Sequence, residues 1–217
     1  AFAVDRTEIM LMTLKRLIKN GLIPRLPIFV DSPMALSALR YYREAINNKS
    51  PEIRPELFDL TEDPFDPGSL YEATTIEDSK ELNKPKQPCI IISASGMATG
   101  GRVVHHLEWM LPNALNTVLL VGYQAIGTRG QKLLSGVKYL KMYGAEVPVK
   151  AEIVQIEEFS VHGDASELID WMKSGSQPQQ IFVIHGEKSS AIAFSEKVKK
   201  ELHWNAVVPV NDKPFTI

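Results

Sequence analysis

Short apolar segments alternate with stretches of helical periodicity along most of this 217-residue chain, and this alternation restricts the possible fold more than any other feature. The strand-like segments are residues 26–30, 90–93, 117–121, 151–156, 181–184 and 206–210. Between them apolar side chains recur at helical spacing, as at Met10, Leu11 and Leu14. Apolar strands separated by helices indicate an α/β fold with a largely parallel sheet flanked by helices.

Cap signals place several helix ends. Ser32 followed by Pro33 is typical of a helix start, because the serine can cap and proline fits the first turn. Asp5 is expected to cap the first helix in the same way.

Composition excludes several classes of protein. Hydrophobic residues make up 44% of the chain and charged residues 23%, values that rule out a mainly disordered protein. No apolar run approaches the roughly 20 residues of a membrane span, so no membrane partner is predicted. The single cysteine, Cys89, excludes an intrachain disulfide and suits a reducing compartment, from which we expect a cytoplasmic location.

Charge is distributed unevenly. The net charge is −2, so any binding of nucleic acid must use a local patch rather than the charge of the whole chain. Residues 51–87 hold ten acidic and four basic residues and read as a long surface excursion, with at most a short helix near 77–82. Residues 128–150 hold five basic residues and one acidic residue, Glu146, and are the most basic part of the chain.

Two glycine-rich turns each follow a strand and precede a helix. The first reads SASGMATGGR over residues 93–102, and the second reads GYQAIGTRG over residues 122–130. Glycine lets a ligand approach the backbone closely, and amides, hydroxyls and arginine at such a place suit a phosphate. As bare patterns, both segments fit a tight turn as well as a phosphate site.

Two histidines also follow strand ends. His162 lies two residues before Asp164, which can cap the next helix, and His185 directly follows an apolar strand. A histidine beside an aspartate is a candidate acid, base or metal ligand, although a lone histidine is more often structural. Spacing alone does not predict a zinc site, because no CxxC, HxH or HExxH motif occurs in the sequence.

The ordered set of segments resembles a known family. The segments are AFAVDRT at 1–7, DSPMA at 31–35, the two glycine-rich turns, FSVHGD at 159–164 and VIHGE at 183–187. Together they resemble the β-CASP branch of the metallo-β-lactamase fold, a family of RNA- and DNA-processing nucleases, and its prokaryotic ribonucleases most of all. Asp5 departs from the glycine usual in the family, and Gln131 stands where an arginine often follows.

This resemblance implies a division of the chain and a chemistry. It implies a β-CASP domain over 1–148 and, over 149–217, the C-terminal part of a metallo-β-lactamase αββα sandwich. The family's HxHxDH motif is absent, so the chain looks like the C-terminal half of a longer enzyme that holds two zinc ions, and would be inactive alone. The missing N-terminal half is thereby a predicted partner. Without that half, the apolar segments 151–156, 181–184 and 206–210 would form a small sheet of their own with a free edge, and self-association through this edge is a further expectation.

The resemblance also assigns residues for a zinc-dependent nuclease that hydrolyses RNA phosphodiester bonds. His185 would be a zinc ligand and His162 would act on the scissile phosphate, with Asp164 in support. The residues expected to contact phosphates of single-stranded RNA are Ser93, Ser95, Gly96, Thr99, Gly100, Arg102, Gly127, Thr128 and Arg129. Two alternatives remain open: a non-catalytic RNA-binding or assembly module, and a hydrolase of small esters. The sequence does not decide RNA against DNA, or endo- against exonuclease action.

Overall fold

The computed structural model describes residues 1–159, 162–210 and 214, and it confirms the α/β fold. The helices are α1 (Arg6–Lys19), α2 (Pro33–Asn47), α3 (Ile76–Glu81), α4 (Arg102–Met110), α5 (Arg129–Leu134), α6 (Ala165–Lys173) and α7 (Lys188–Leu202), with a 3₁₀ turn at Pro55–Leu57. The strands are β1 (Ile28–Asp31), β2 (Leu70–Glu72), β3 (Ile90–Ser93), β4 (Thr117–Val121), β5 (Tyr139–Met142), β6 (Ala145–Pro148), β7 (Glu152–Ile156), β8 (Ile181–Phe182) and β9 (Ala206–Val207).

The chain folds into two compact units, Ala1–Ser160 and Val161–Ile217. The first unit contains a three-stranded parallel sheet of order β2-β1-β3, so that β1 pairs on both sides. Ile28 and Val30 of β1 are fully buried, as expected for the central strand of a sheet covered by helices. The carboxyl end of this central strand, at Asp31, therefore lies where parallel sheets place their ligand sites.

A second parallel pair joins β4 to β7 within the same unit, with Thr117 opposite Glu152 and Val121 opposite Ile156. The expectation that residues 151–156 pair with the last two apolar segments is therefore wrong. Pairing with β4 gives β7 a five-residue ladder, which satisfies backbone groups that would otherwise be left without partners. Along the chain, α5 and the antiparallel hairpin β5–β6 lie between β4 and β7.

Two apolar cores support the first unit. One gathers buried residues of α1, α2 and the three-stranded sheet, including Leu11, Leu39 and the fully covered β1 positions. The other lies under α4, α5 and the hairpin, where Leu107, Leu133 and Leu140 pack together. The helices that follow the two glycine-rich turns, α4 and α5, thus share the second core.

The second unit has its own smaller core, formed by Ile169 of α6, Val198 of α7 and Ala206 of β9. Here β8 and β9 pair in parallel through Ile181 opposite Ala206. The last strand is shorter than the predicted span of 206–210. The domain boundary between residues 148 and 149 stays a prediction.

Of the two helix caps predicted for α1 and α2, the structure contains one. Ser32 caps α2 as predicted, accepting a hydrogen bond from the Ala35 amide at 3.3 Å. Asp5 does not cap α1; its φ is +61°, and its carboxylate accepts a hydrogen bond from the Tyr42 hydroxyl instead. Within the described parts of the chain, no helix has the length and apolar character needed to cross a bilayer.

The acidic segment 51–87 is more structured than predicted. It contains the expected short helix, α3, but also β2, which pairs with β1 as an edge strand of the sheet. Phe65 anchors it, with only 2% of its surface exposed, in contact with the first core. A charge count could not show this, because one aromatic residue and a three-residue strand fix the segment.

Candidate active site and nucleic-acid interface

Asp31, the last residue of β1, is the centre of a buried hydrogen-bond network in the first unit. Its carboxylate accepts from the Ser79 hydroxyl at 2.6 Å and faces Nε2 of His106 at 2.6 Å. Its backbone carbonyl accepts from the Ser93 hydroxyl at 2.9 Å. A buried carboxylate is stable only when such donors surround it. Four separate elements therefore meet at the carboxyl end of the central strand.

Arg102, the first residue of α4, also joins this network. Its Nη1 lies 2.5 Å from Oδ1 of Asp31 and 3.0 Å from the carbonyl of Ala73. Burial opposes the ionisation of Asp31, but hydrogen bonds from His106, Ser79 and Arg102 outweigh it and hold the pKa of Asp31 below its ordinary value. The structure thus places the guanidinium of Arg102, which we predict to contact phosphate, in an internal ion pair.

The two glycine-rich turns form one structure. Nε2 of Gln124, in the second turn, donates to the carbonyl of Gly96 in the first at 2.9 Å, and the Gly130 amide donates to the Met97 carbonyl at 3.1 Å. The Arg129 guanidinium donates to the carbonyl of Thr99 at 3.1 Å. The sequence predicts that both turns serve the same ligand, and the structure brings them into direct contact.

The glycines of these turns have different environments. A Cβ at Gly96 would lie 2.7 Å from the Phe2 ring, and one at Gly130 would lie 1.6 Å from Oε1 of Gln124. Those two positions require glycine for packing. Around Gly100 and Gly127, by contrast, a Cβ would meet nothing within 4 Å. Only the latter pair leaves the space that a phosphate needs beside the backbone.

The hydroxyl groups near these open glycines are partly accessible. Ser95 Oγ and Thr99 Oγ1 lie 2.9 Å apart and share a hydrogen bond, so one hydroxyl hydrogen of the pair is left to donate to a ligand. Thr128 caps α5 by accepting from the Gln131 amide at 3.2 Å. Ser93 is buried and hydrogen-bonds inside the Asp31 network. Of the predicted phosphate contacts, Ser95, Thr99, Gly100 and Gly127 are therefore the best placed.

In the second unit, His162 and Asp164 lie on the surface just before α6; Ser160 and Val161 of the same motif lie outside the described residues. Asp164 caps the helix as predicted, accepting from the amides of Ser166 at 2.7 Å and Glu167 at 2.9 Å. These backbone hydrogen bonds, that from Glu167 first, lower the pKa of Asp164. Its supporting role toward His162 stays a prediction.

His185 is exposed between β8 and α7, with a φ of +72°. Gly186 follows it, and only Ala191 lies near the position a Cβ would take there. Across residues 1–159, 162–210 and 214, no three His, Cys, Asp or Glu side chains lie together as a metal site. The described residues therefore do not fit a complete zinc shell, and His185 could supply one ligand only.

The Asp31 network was not predicted from the sequence. Ser79, Arg102 and His106 lie 48 to 75 positions away from Asp31 along the chain. The only signal was the polar residue at the end of an apolar strand. His105 and His106 are adjacent on α4 and therefore point in different directions: His106 is buried against Asp31, whereas His105 stacks on Tyr143.

Comparison with known families assigns both parts of the chain. Residues 7–133 match the Beta-Casp domain. The chain belongs to the β-CASP family. Residues 146–209 match the Zn-dependent metallo-hydrolase RNA specificity domain. The resemblance seen in the ordered sequence segments is therefore confirmed over most of the β-CASP chain.

Curated relatives of this β-CASP chain include two ribonuclease-type proteins. An RNase J-like protein of Methanocaldococcus jannaschii is 33% identical over 96% of the chain and 47% of the relative. A ribonuclease of Thermus thermophilus is 33% identical over 90% of the chain and 44% of the relative. A transcription termination factor of Methanosarcina mazei is 29% identical over 93% of the chain and 32% of its own length. The chain thus spans half or less of the length of these relatives.

Proposed function

We propose that this chain is part of a metal-dependent ribonuclease that hydrolyses phosphodiester bonds of single-stranded RNA. The observation that carries the proposal is the contact between the two glycine-rich turns, which places Ser95, Thr99, Gly100 and Gly127 on one partly open surface of a β-CASP domain. The match to an RNA specificity domain and the two ribonuclease relatives support RNA as the substrate class.

In this proposal the chain's residues divide between binding and chemistry. The open turns hold phosphates upstream of the cleaved bond through backbone amides and hydroxyls. His162 donates a hydrogen bond or proton toward the scissile phosphate, and Asp164 supports it. His185 supplies one zinc ligand, while the other ligands lie outside these 217 residues. Zinc, when bound, activates water for attack on phosphorus.

The test uses the complete protein that carries this chain, loaded with zinc, and a labelled single-stranded RNA. We expect His162→Ala and His185→Ala each to slow cleavage at least 100-fold, as loss of a general acid or a metal ligand does, while RNA binding changes less than twofold. His203→Ala removes another histidine of the second unit and serves as the matched control. Unchanged cleavage in both test variants would contradict the proposal.

Assays of the 217-residue chain alone and of the complete protein together separate this function from its two alternatives. We expect it to bind RNA and to leave both RNA and a small ester uncleaved. Cleavage of RNA by the chain alone, abolished by His185→Ala, would mean that it holds a complete centre. An RNA-binding module without catalysis is indicated instead if the complete protein binds RNA but does not cleave it at any zinc concentration.

A role in transcription is the second candidate, because several relatives at 26 to 29% identity are transcription termination factors. In that case cleavage would act on RNA emerging from RNA polymerase. Release of nascent RNA from stalled elongation complexes, lost with His162→Ala, would favour this role over processing of free RNA.

A further inference from the structure

An exposed group of aromatic side chains lies on the first unit, outside the two glycine-rich turns. Tyr139, Tyr143 and Trp109 are 60%, 57% and 51% exposed, and His105 lies beside Tyr143. We call these four residues, together with Lys141, the aromatic surface. Leaving several large aromatic rings exposed to water is unfavourable, so such a group on a protein surface indicates a binding site.

The β5–β6 hairpin fixes the orientation of three of these side chains. Strand alternation buries Leu140 and Met142 and turns Tyr139 and Lys141 outward. The connecting residues, Tyr143 and Gly144, both have positive φ, +46° and +85°, as a type I′ turn requires. Tyr143 accepts an unfavourable backbone conformation although asparagine or glycine would fit it better. The position thus keeps an aromatic ring at the tip at a cost in stability.

Helix α4 supplies the other side of the surface. The rings of His105 and Tyr143 stack with centroids 4.7 Å apart, and the Tyr143 hydroxyl lies 3.0 Å from Nε2 of His105. Trp109 follows His105 by one helical turn and so lies on the same side of α4. Nζ of Lys84 sits 4.5 Å from the centroid of the Trp109 ring. The rings of His105, Tyr143 and Trp109 therefore each contact a neighbouring side chain.

The side chain of Arg129 connects this surface with the proposed phosphate-binding turns. Its guanidinium donates to the Thr99 carbonyl at 3.1 Å and lies 3.4 Å from the carbonyl of Lys141 in β5. The Arg129 side chain therefore contacts both the first glycine-rich turn and the β5–β6 hairpin. A ligand that crosses Thr99 would reach the hairpin next.

The charge of this region favours an anionic ligand. The segment 128–150 holds five basic residues and one acidic residue. That acid, Glu146, lies directly opposite Lys141 in the hairpin and offsets part of its charge. The remaining excess is positive. Exposed aromatic rings combined with basic residues are the surface that single-stranded nucleic acid uses, with bases on the rings and phosphates near the cations.

We propose that the aromatic surface binds bases of the single-stranded RNA that crosses the glycine-rich turns, with Tyr139 and Tyr143 as stacking residues. This rests on the proposed function. At roughly 3.3 Å of rise per strand residue the two tyrosines lie about 13 Å apart, enough for more than one nucleotide between them. The surface lengthens the RNA footprint beyond the phosphates held by the turns and recognises bases without sequence preference.

The test measures binding of a fluorescent single-stranded oligoadenylate to the 217-residue chain by anisotropy. The variants are Tyr139→Ala and Tyr143→Asn; the asparagine suits the positive φ and preserves the turn. Tyr143→Phe keeps the ring and removes only the hydroxyl. Tyr41→Ala removes another exposed tyrosine, from α2, and is the control. Circular dichroism and thermal unfolding confirm that each variant folds.

Tyr139→Ala and Tyr143→Asn should each weaken binding about 5- to 100-fold, whereas Tyr143→Phe and Tyr41→Ala should change it less than twofold. Lys141→Gln should lower the salt slope of log K by about 0.7, and the tyrosine variants should leave that slope unchanged. Unchanged affinity in both tyrosine variants, with binding still lost on Gly100→Val, would overturn the inference and leave the proposed function standing. Absence of RNA binding by the unmodified chain would overturn both.

Discussion

Arg102 reaches across 71 positions of sequence to place its Nη1 2.5 Å from the buried carboxylate of Asp31. The pair joins the start of α4 to the end of β1, and through these elements it joins the first glycine-rich turn to the central sheet. Since Asp31 is fully buried, the Arg102 guanidinium stabilises the fold by neutralising this carboxylate, whether or not a ligand is bound.

Arg102→Ala should therefore lower the free energy of unfolding by about 2 kcal/mol, because it leaves a buried carboxylate without its charged donor. Urea unfolding at pH 7 measures the change. Arg40→Ala, on the exposed side of α2, is the matched control and should shift stability by less than about 0.5 kcal/mol. Loss of RNA affinity without loss of stability in Arg102→Ala would mean that the guanidinium serves the ligand rather than the fold.

Asp31 should also give the fold an acid dependence. Hydrogen bonds hold its folded-state pKa below the ordinary value of 3.8, so the unfolded chain binds the proton more tightly. The stabilisation is present above 3.8 and is lost as pH falls through the lower, folded-state pKa. The stability difference between the natural chain and Asp31→Asn should shrink between pH 5 and pH 2. A difference that stays constant over that range would refute the ion pair as its source.

Glu8 should behave in the opposite sense. Burial, with the Asp5 carboxylate nearby, raises the pKa of Glu8 to about 7 and outweighs the opposing effect of nearby backbone amides. The folded state holds this proton more tightly, so its stabilising effect is complete below the ordinary value of 4.5 and declines as pH rises toward 7. Glu8→Gln should gain stability over the natural chain at pH 8, by up to about 3 kcal/mol, and little at pH 4. Equal stability of the two proteins at both pH values would contradict a buried neutral carboxyl.

Substitution by alanine, which adds one methyl group, should distinguish the tightly packed glycines of the turns from the open ones. Gly130→Ala should cost about 1–3 kcal/mol, because Gln124 must give up its position and its bonds to the Gly96 and Gly122 carbonyls. Gly100→Ala meets open space and should leave thermal stability within about 0.5 kcal/mol. The same Gly100 variant should weaken RNA binding, since its methyl group narrows the approach to the backbone. Equal losses of stability in the two variants would rule out this distinction.

Two substitutions at Asp164 separate its cap from its predicted catalytic support. Asparagine keeps an oxygen for the amides of Ser166 and Glu167, whereas alanine removes it and should cost about 1 kcal/mol. If the charge of Asp164 supports His162, both variants of the complete enzyme lose cleavage. Full cleavage by Asp164→Asn would show that this residue acts as a helix cap alone.

Features that depend on neighbouring residues could be predicted from the sequence, whereas contacts between residues far apart in the chain could not. The Ser32–Pro33 helix start, six of the nine strands in the described residues and the two glycine-rich turns follow from residues that are close in sequence, whereas β2 and the β5–β6 hairpin were not predicted. The Asp31 network and the β4–β7 pairing depend on residues dozens of positions apart, and no periodicity reports which distant groups will meet. Asp5 fails for another reason: an N-cap aspartate needs an extended backbone, and here φ is positive.

The pairing of β4 with β7 also affects how the two matched segments can evolve. β4 belongs to the segment that matches the Beta-Casp domain, residues 7–133, and β7 to the one that matches the RNA specificity domain, residues 146–209. Five consecutive residue pairs therefore bind the two matched segments into one sheet. Recombination between genes that exchanged either segment alone would have to re-create this register in a new partner, so the two are expected to travel through evolution as a pair.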